Sequence, residues 1–120
     1  MPDTSAASGP RSLLTPAALH ILMSLAEGER HGYRIKLDVE ERTGGSLSLG
    51  PGTLYEAIHR MLRDGWIAEA DAAGDTSSRR KTYRISADGR RRMEAELERL
   101  EDIVRYARGH ALLPEGGGTG

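Results

Sequence analysis

The sequence predicts a mainly α-helical fold with one small β-hairpin, and three observations carry that expectation. Aromatic residues make up only 4% of the 120 residues, with no Phe and a single Trp, so the core must rest on Leu, Ile, Val, Met and Ala. Apolar residues recur at helical spacing in the stretches that follow Thr15, His31, Gly50 and Ser86. Only residues 66–70 and 81–85 read as short strands, and they flank a loop rich in Gly, Asp and Ser. A chain of this length makes one domain with a modest core, and small domains often need a partner for stability.

Taken in order, residues 1–12 are small, polar and contain Pro and Gly, so they read as a flexible arm. Thr15 before Pro16 starts the first helix: the hydroxyl can accept an orphan backbone N–H, and Pro suits the first helical position. The following "AALHILMSLAEG" is apolar around most of its circumference and stops at Gly28. More than one neighbour must bury such a helix, which makes it a candidate for both core and dimer contact, through Leu19 among others. His20 within it reads as a packed or interface residue.

A second helix is expected from about His31 to Arg42, with Tyr33, Leu37 and Val39 inward and "TGG" at 43–45 supplying glycine for its end. The third lies in "GPGTLYEAIHRMLRDGWI", residues 50–67. Turning successive residues by about 100° puts Leu54, Ala57, Ile58, Met61 and Leu62 on one side. Thr53, Glu56, His59, Arg60 and Arg63 fall on the other, with Tyr55 on the flank. Trp66 is expected to anchor the first strand of the hairpin in the core. Ser86 then caps a last helix, "ADGRRRMEAELERLEDIVRYARG", whose inner residues Met93, Leu97, Leu100, Val104 and Ala107 are spaced 4, 3, 4, 3. This coiled-coil seam covers about two heptads where sustained examples need three or four, so it needs the first helix beside it to hold two chains together. The organisation expected is a flexible arm at 1–12, a domain of three helices and a hairpin at 13–85, a dimerisation helix at 86–110 and a flexible tail at 111–120.

Charge refines this. A net charge of −1 argues against a uniformly basic coat for nucleic acid. Its distribution is uneven: Arg79, Arg80, Lys81, Arg84, Arg90, Arg91 and Arg92 face one acid, Asp88, whereas residues 93–102 hold five acids and one Arg. The order helix, helix, helix, hairpin, helix is that of a winged helix-turn-helix, in which the third helix enters the DNA major groove and the hairpin wing lies along the backbone or minor groove. Arg60 and Arg63 can offer a donor fork to guanine or phosphate, His59 and Thr53 can hydrogen-bond to either, and Tyr55 can reach a phosphate oxygen. The competing reading is a winged-helix protein-interaction module that does not bind DNA, its basic wing docked on an acidic partner. Such a module would not need the outward Arg, His and Thr set.

These segments resemble the PadR family of transcriptional regulators, through "LTPAALHILMSLAEGERHGYRI", "LGPGTLYEAIHRMLRDGWI" and "RRKTYRISADGRR". The resemblance implies a homodimer whose third helix and wing bind palindromic operator DNA, usually as a repressor, with the last and first helices forming the dimer. The positions it matches are Thr53, Tyr55, His59, Arg60 and Arg63 on the helix, and Arg79, Arg80 and Lys81 at the wing. Gly50 stands where the family commonly has a capping Ser, and Thr82 replaces an aromatic often found in the second wing strand. The chain looks like the short branch of the family. Some short members bind aromatic compounds between the subunits against aromatics of the last helix, a part that only Tyr106 could play here.

Other chemistry finds no footing. The chain has no Cys, which excludes disulfides and thiolate sites. His20, His31, His59 and His110 show no metal spacing, no catalytic pairing can be assembled, and "GPGTL" lacks the Lys of a phosphate-binding loop. No apolar run approaches the ~20 residues of a membrane span. The expectation is a cytoplasmic protein that is not an enzyme and holds no cofactor or metal.

Overall fold

The computed structural model of the chain describes residues 14–70 and 81–114. In chain order these form α1 (Pro16–Ala26), β1 (Arg30–His31), α2 (Gly32–Arg42), α3 (Pro51–Arg63), β2 (Ile67–Ala70), β3 (Thr82–Ile85) and α4 (Ala87–Gly109). The fold is mainly helical with a small antiparallel sheet, as the sequence predicts.

The first helix is the hub. Thr15 caps it by accepting the Ala18 N–H at 3.0 Å, Pro16 occupies the first turn, and the helix packs against α2, α3, α4 and β3. Ile21, Leu22 and Leu25 are buried with Ile35 and Val39 of α2, Leu54, Ile58 and Met61 of α3, and Tyr83 of β3. Burial on nearly all sides is what its apolar circumference required. Ser24 is a polar residue in this core, and its hydroxyl donates to Asp38 at 2.8 Å, which removes the cost of an unsatisfied buried group.

The inward face of α2 differs from expectation. Gly32, Ile35 and Val39 are buried, whereas Tyr33 is 65% exposed. Gly32 sets this phase: a Cβ there would lie 2.6 Å from the Tyr55 hydroxyl, so the α2 backbone abuts an aromatic ring of α3 and turns Tyr33 outward. The preceding β1 was not foreseen. It is two residues long, too short to show a pattern, and exists because Arg30 and His31 pair with Tyr83 and Thr82 of β3, making the sheet order β1-β3-β2. Asp38 secures it by accepting from both Arg30 and Ser24.

Glycines close α2 and α3 in the same way. After α2, Gly44 and Gly45 adopt positive φ of 62° and 87°, and their N–H groups return to Glu41 and Glu40. After α3, Gly65 (φ 79°) donates to Leu62 O and Trp66 to Met61 O. Both are Schellman caps, which satisfy the last carbonyls and turn the chain sharply. Trp66 then sits against the core beside β2, and the Ser86 N–H donates to its carbonyl at 3.0 Å. The Ser86 hydroxyl donates to Gly65 O at 2.7 Å and accepts the Gly89 N–H at 3.0 Å, so one side chain ties the end of α3 to the start of α4.

Midway along α1, the guanidinium of Arg42, the last residue of α2, donates to His20 O at 3.3 Å and lies 3.4 Å from His20 Nδ1. Burial, and then the Arg42 charge, hold His20 below its ordinary pKa of 6.5.

Two outcomes follow. A Cβ on Gly89 would lie 2.0 Å from the Trp66 carbonyl oxygen, a main-chain atom, so Gly89→Ala should lower stability by roughly 1–3 kcal/mol, read as a drop in thermal midpoint. Gly52→Ala, which meets nothing within 4 Å, should not lower it. Because folding depresses the His20 pKa, the unfolded chain binds more protons just below pH 6.5, and stability should fall as the pH drops through that window. His20→Gln should remove that step from the stability-against-pH curve.

Candidate nucleic-acid interface

The third helix is amphipathic in the way its sequence requires. Leu54, Ile58 and Met61 are buried, Ala57 and Leu62 half-buried, and Thr53, Glu56, His59, Arg60 and Arg63 exposed. Gly50 stands at its N-cap without a side-chain hydrogen bond, and Pro51 supplies the first turn. Leu54 N–H donates to Gly50 O at 2.9 Å, so the helix begins on backbone alone.

What sets this face apart is the state of its charges. Several cations of α2 and α4 are matched on their own helix: Lys36 with Glu40, Arg91 with Asp88, Arg99 with Glu96, and Arg105 with Asp102. The Arg99 contact holds the Glu96 carboxyl below its ordinary range. On α3, neither Arg60 nor Arg63, nor Thr53, Glu56 or His59, makes a side-chain hydrogen bond or ion pair among the described residues. Two guanidinium groups, an imidazole and a hydroxyl therefore stand in solvent on one helical face.

The remaining expected contacts divide. Tyr55 is half-buried, its ring lying against the backbone of Gly32, so much of its surface is used for packing. Lys81 lies at the loop end of the paired strands and is paired with Glu69 on β2 at 3.0 Å. Thr82, at the site of the family's frequent aromatic, donates its hydroxyl to Ala70 O at 3.0 Å across the strands. Arg79 and Arg80 lie outside the described residues.

The seam of α4 changes character along its length. Met93 is buried and Leu97 and Leu100 pack against the same core, whereas Ile103, Val104 and Tyr106 are 51%, 37% and 60% exposed. Beyond the helix Leu112 and Leu113 add exposed apolar surface. Leu19 is 8% exposed and Met93 7%, so both are largely enclosed within one subunit and leave little surface for a partner. Tyr106 stacks on His110 with centroids 3.9 Å apart.

One residue escaped the sequence reading. Arg92 reaches back to place its guanidinium 4.8 Å from the centre of the Trp66 ring. The basic run hid it, because nothing in the order of residues separates this Arg from Arg90 and Arg91 on the exposed side of α4. Among the described residues no group of three or more His, Cys, Asp or Glu side chains is placed to hold a metal ion, and no helix is long and apolar enough to cross a membrane.

The model of the transcriptional regulator PadR-like family matches residues 21–95. The transcriptional regulator Rv3488 of Mycobacterium tuberculosis is 32% identical over 101 residues, covering 84% of this chain and 91% of the relative. A PadR family transcription regulator from Clostridium difficile R20291 shares the fold with a TM-score of 0.66 at 24% identity, over 81% of this chain and 99% of that one. The Bacillus subtilis PadR, solved in complex with operator DNA, has a TM-score of 0.57 at 24% identity, over 67% of this chain and 45% of that one. Helix order, hairpin and family match agree: the chain belongs to the PadR-like family of transcriptional regulators, not to a family of enzymes.

Proposed function

We propose that the protein is a homodimeric, sequence-specific DNA-binding repressor that reads a palindromic operator. The observation that carries this reading is the solvent-facing set of Thr53, His59, Arg60 and Arg63 on α3, its cations unmatched by acids among the described residues, while Arg91, Arg99 and Arg105 of α4 are paired. A guanidinium held by no carboxylate is ready to bind guanine O6 and N7 or a phosphate. In this reading α3 enters the major groove, and the hairpin, with Arg79, Arg80 and Lys81, follows the backbone. The fold shared with a regulator solved on operator DNA supports that placement. Lys81 would exchange Glu69 for a phosphate, a small loss, because exposed ion pairs contribute only about 0–1 kcal/mol.

Dimerisation follows from the exposed end of α4. Ile103, Val104, Tyr106 and Ala107, with the outer edges of Leu97 and Leu100, would pack against the partner, setting the two α3 helices one DNA turn apart, about 34–36 Å. The division between a core-bound half and an exposed half of one seam supports this arrangement.

Arg63→Ala should cost roughly 1–3 kcal/mol on the operator and relax preference at one base, whereas Arg80→Ala should weaken operator and random duplex alike. Binding titrations at several salt concentrations check this, with affinity falling linearly on a log–log plot. Equal losses from both variants on both DNAs would contradict the assignment, and capture of an acidic protein with no retention on duplex would favour an interaction module. Replacing Ile103 and Val104 together with Glu should give a monomer in sedimentation that loses operator preference.

A further inference from the structure

Helix α4 ends in a hook that its own subunit leaves uncovered. The Leu112 N–H donates to Ala107 O at 2.8 Å and the Ala111 N–H to Arg108 O at 3.3 Å, a Schellman cap. Glycine ordinarily takes the left-handed position of that cap, yet Ala111 holds it here, with φ 58°, against the steric preference of a residue with a Cβ. Arg108 Nε donates to Pro114 O at 3.1 Å and closes the turn. Leu112 and Leu113 are left 70% and 38% exposed. A strained turn that holds two leucines in water suits a contact made by another chain.

A surface of matching chemistry lies at the opposite end of α4. The N-terminus of α1, the last turn of α3, Trp66 and the start of α4 surround an open cleft of roughly 610 Å³. Leu14, Ala18, Ala57, Met61 and Trp66 make its floor apolar, and Asp64 is its one lining carboxylate. Asp64 makes no side-chain hydrogen bond or ion pair among the described residues. Arg60 and Arg63 at the rim belong to the DNA face proposed above, and Arg92 is engaged by the Trp66 ring, so none of the three takes part. Within one chain about 25 Å of helix separates cleft from hook, so a subunit cannot fill its own cleft. Positions 92 and 112 are, however, symmetric about Asp102, beside the exposed Ile103 and Val104. A two-fold axis crossing α4 there runs the two copies antiparallel and brings each hook to the other subunit's cleft.

We propose that the hook of each subunit seats in the cleft of its partner, Leu112 and Leu113 on the apolar floor and the Arg108 guanidinium on Asp64. The contact rests on the homodimer proposed above. It also supplies what that dimer lacks: the seam of α4 covers about two heptads, too few for a sustained coiled coil, and two symmetric hooks add buried apolar area at both ends.

Leu112→Ser with Leu113→Ser alters only exposed residues of the subunit, and in sedimentation it should raise the dimer dissociation constant about tenfold or more, for the loss of four buried leucines. Asp64→Arg and Arg108→Asp should each weaken the dimer, and the two together should restore it. The chain has no Cys, so introduced thiols report cleanly. Ala18→Cys combined with Leu112→Cys should join two chains on mild oxidation, and neither substitution alone should do so. An unchanged dissociation constant in the Leu112 and Leu113 variant, charge reversal without rescue, or cross-linking by Leu112→Cys alone, which would set hook against hook, overturns the proposal while leaving the dimer in place. A wild-type chain that sediments as a monomer overturns the dimer itself, and the hook contact with it.

Discussion

The carbonyl group of Trp66 is the point on which the rest of the structure turns. It accepts the Ser86 N–H at 3.0 Å, and the backbone of α4 passes so close at Gly89 that a single Cβ would overlap it. The Ser86 hydroxyl joins Gly65 to Gly89 across the same junction. Main-chain atoms are the least adjustable parts of a fold, so this contact fixes α3, the root of the hairpin and α4 with little freedom of angle. The helix that faces solvent with its cations and the helix with the exposed apolar end are therefore parts of one rigid unit. In a two-fold assembly built on α4, the spacing of the two α3 helices would follow from that junction rather than from flexible loops.

Around this frame the protein distributes its charge unevenly. Exposed ion pairs at helical spacing contribute little stability, a few tenths of a kcal/mol by order of magnitude. Their effect here is better seen in what they leave over. Lys36, Arg91, Arg99 and Arg105 are matched on their own helices, which quiets the surfaces of α2 and α4. The unmatched guanidinium groups of Arg60 and Arg63 stand on α3, above a cleft with an apolar floor. A near-neutral chain thus presents a local cationic face, and a net charge of −1 says nothing against it.

Much of this was legible in the sequence because it is written locally. Thr15 with Pro16 and Ser86 form the caps their chemistry allows, the outward residues of α3 fall where a helical repeat puts them, and the paired strands start within one residue of their expected places. The failures are equally physical. Tyr33 was expected inside because it is large and apolar, but the phase of a short helix is decided by its closest neighbour, and Gly32 takes that contact against Tyr55. Two-residue β1 has no pattern of its own and exists only through β3. Leu19 and Met93 are largely enclosed by their own chain, and an apolar face in a sequence does not announce which neighbour will cover it.

The sequence by itself determined the helices, their caps, the hairpin and the polar side of α3, since each depends on residues within a turn or two of one another. Only the tertiary structure decided that Arg92 lies over Trp66, that Arg60 and Arg63 rim a cleft shared with α1, and that the seam of α4 divides into a buried and an open half. Those features join residues far apart in the chain, and distance along a sequence carries no record of proximity in space until packing has closed the core.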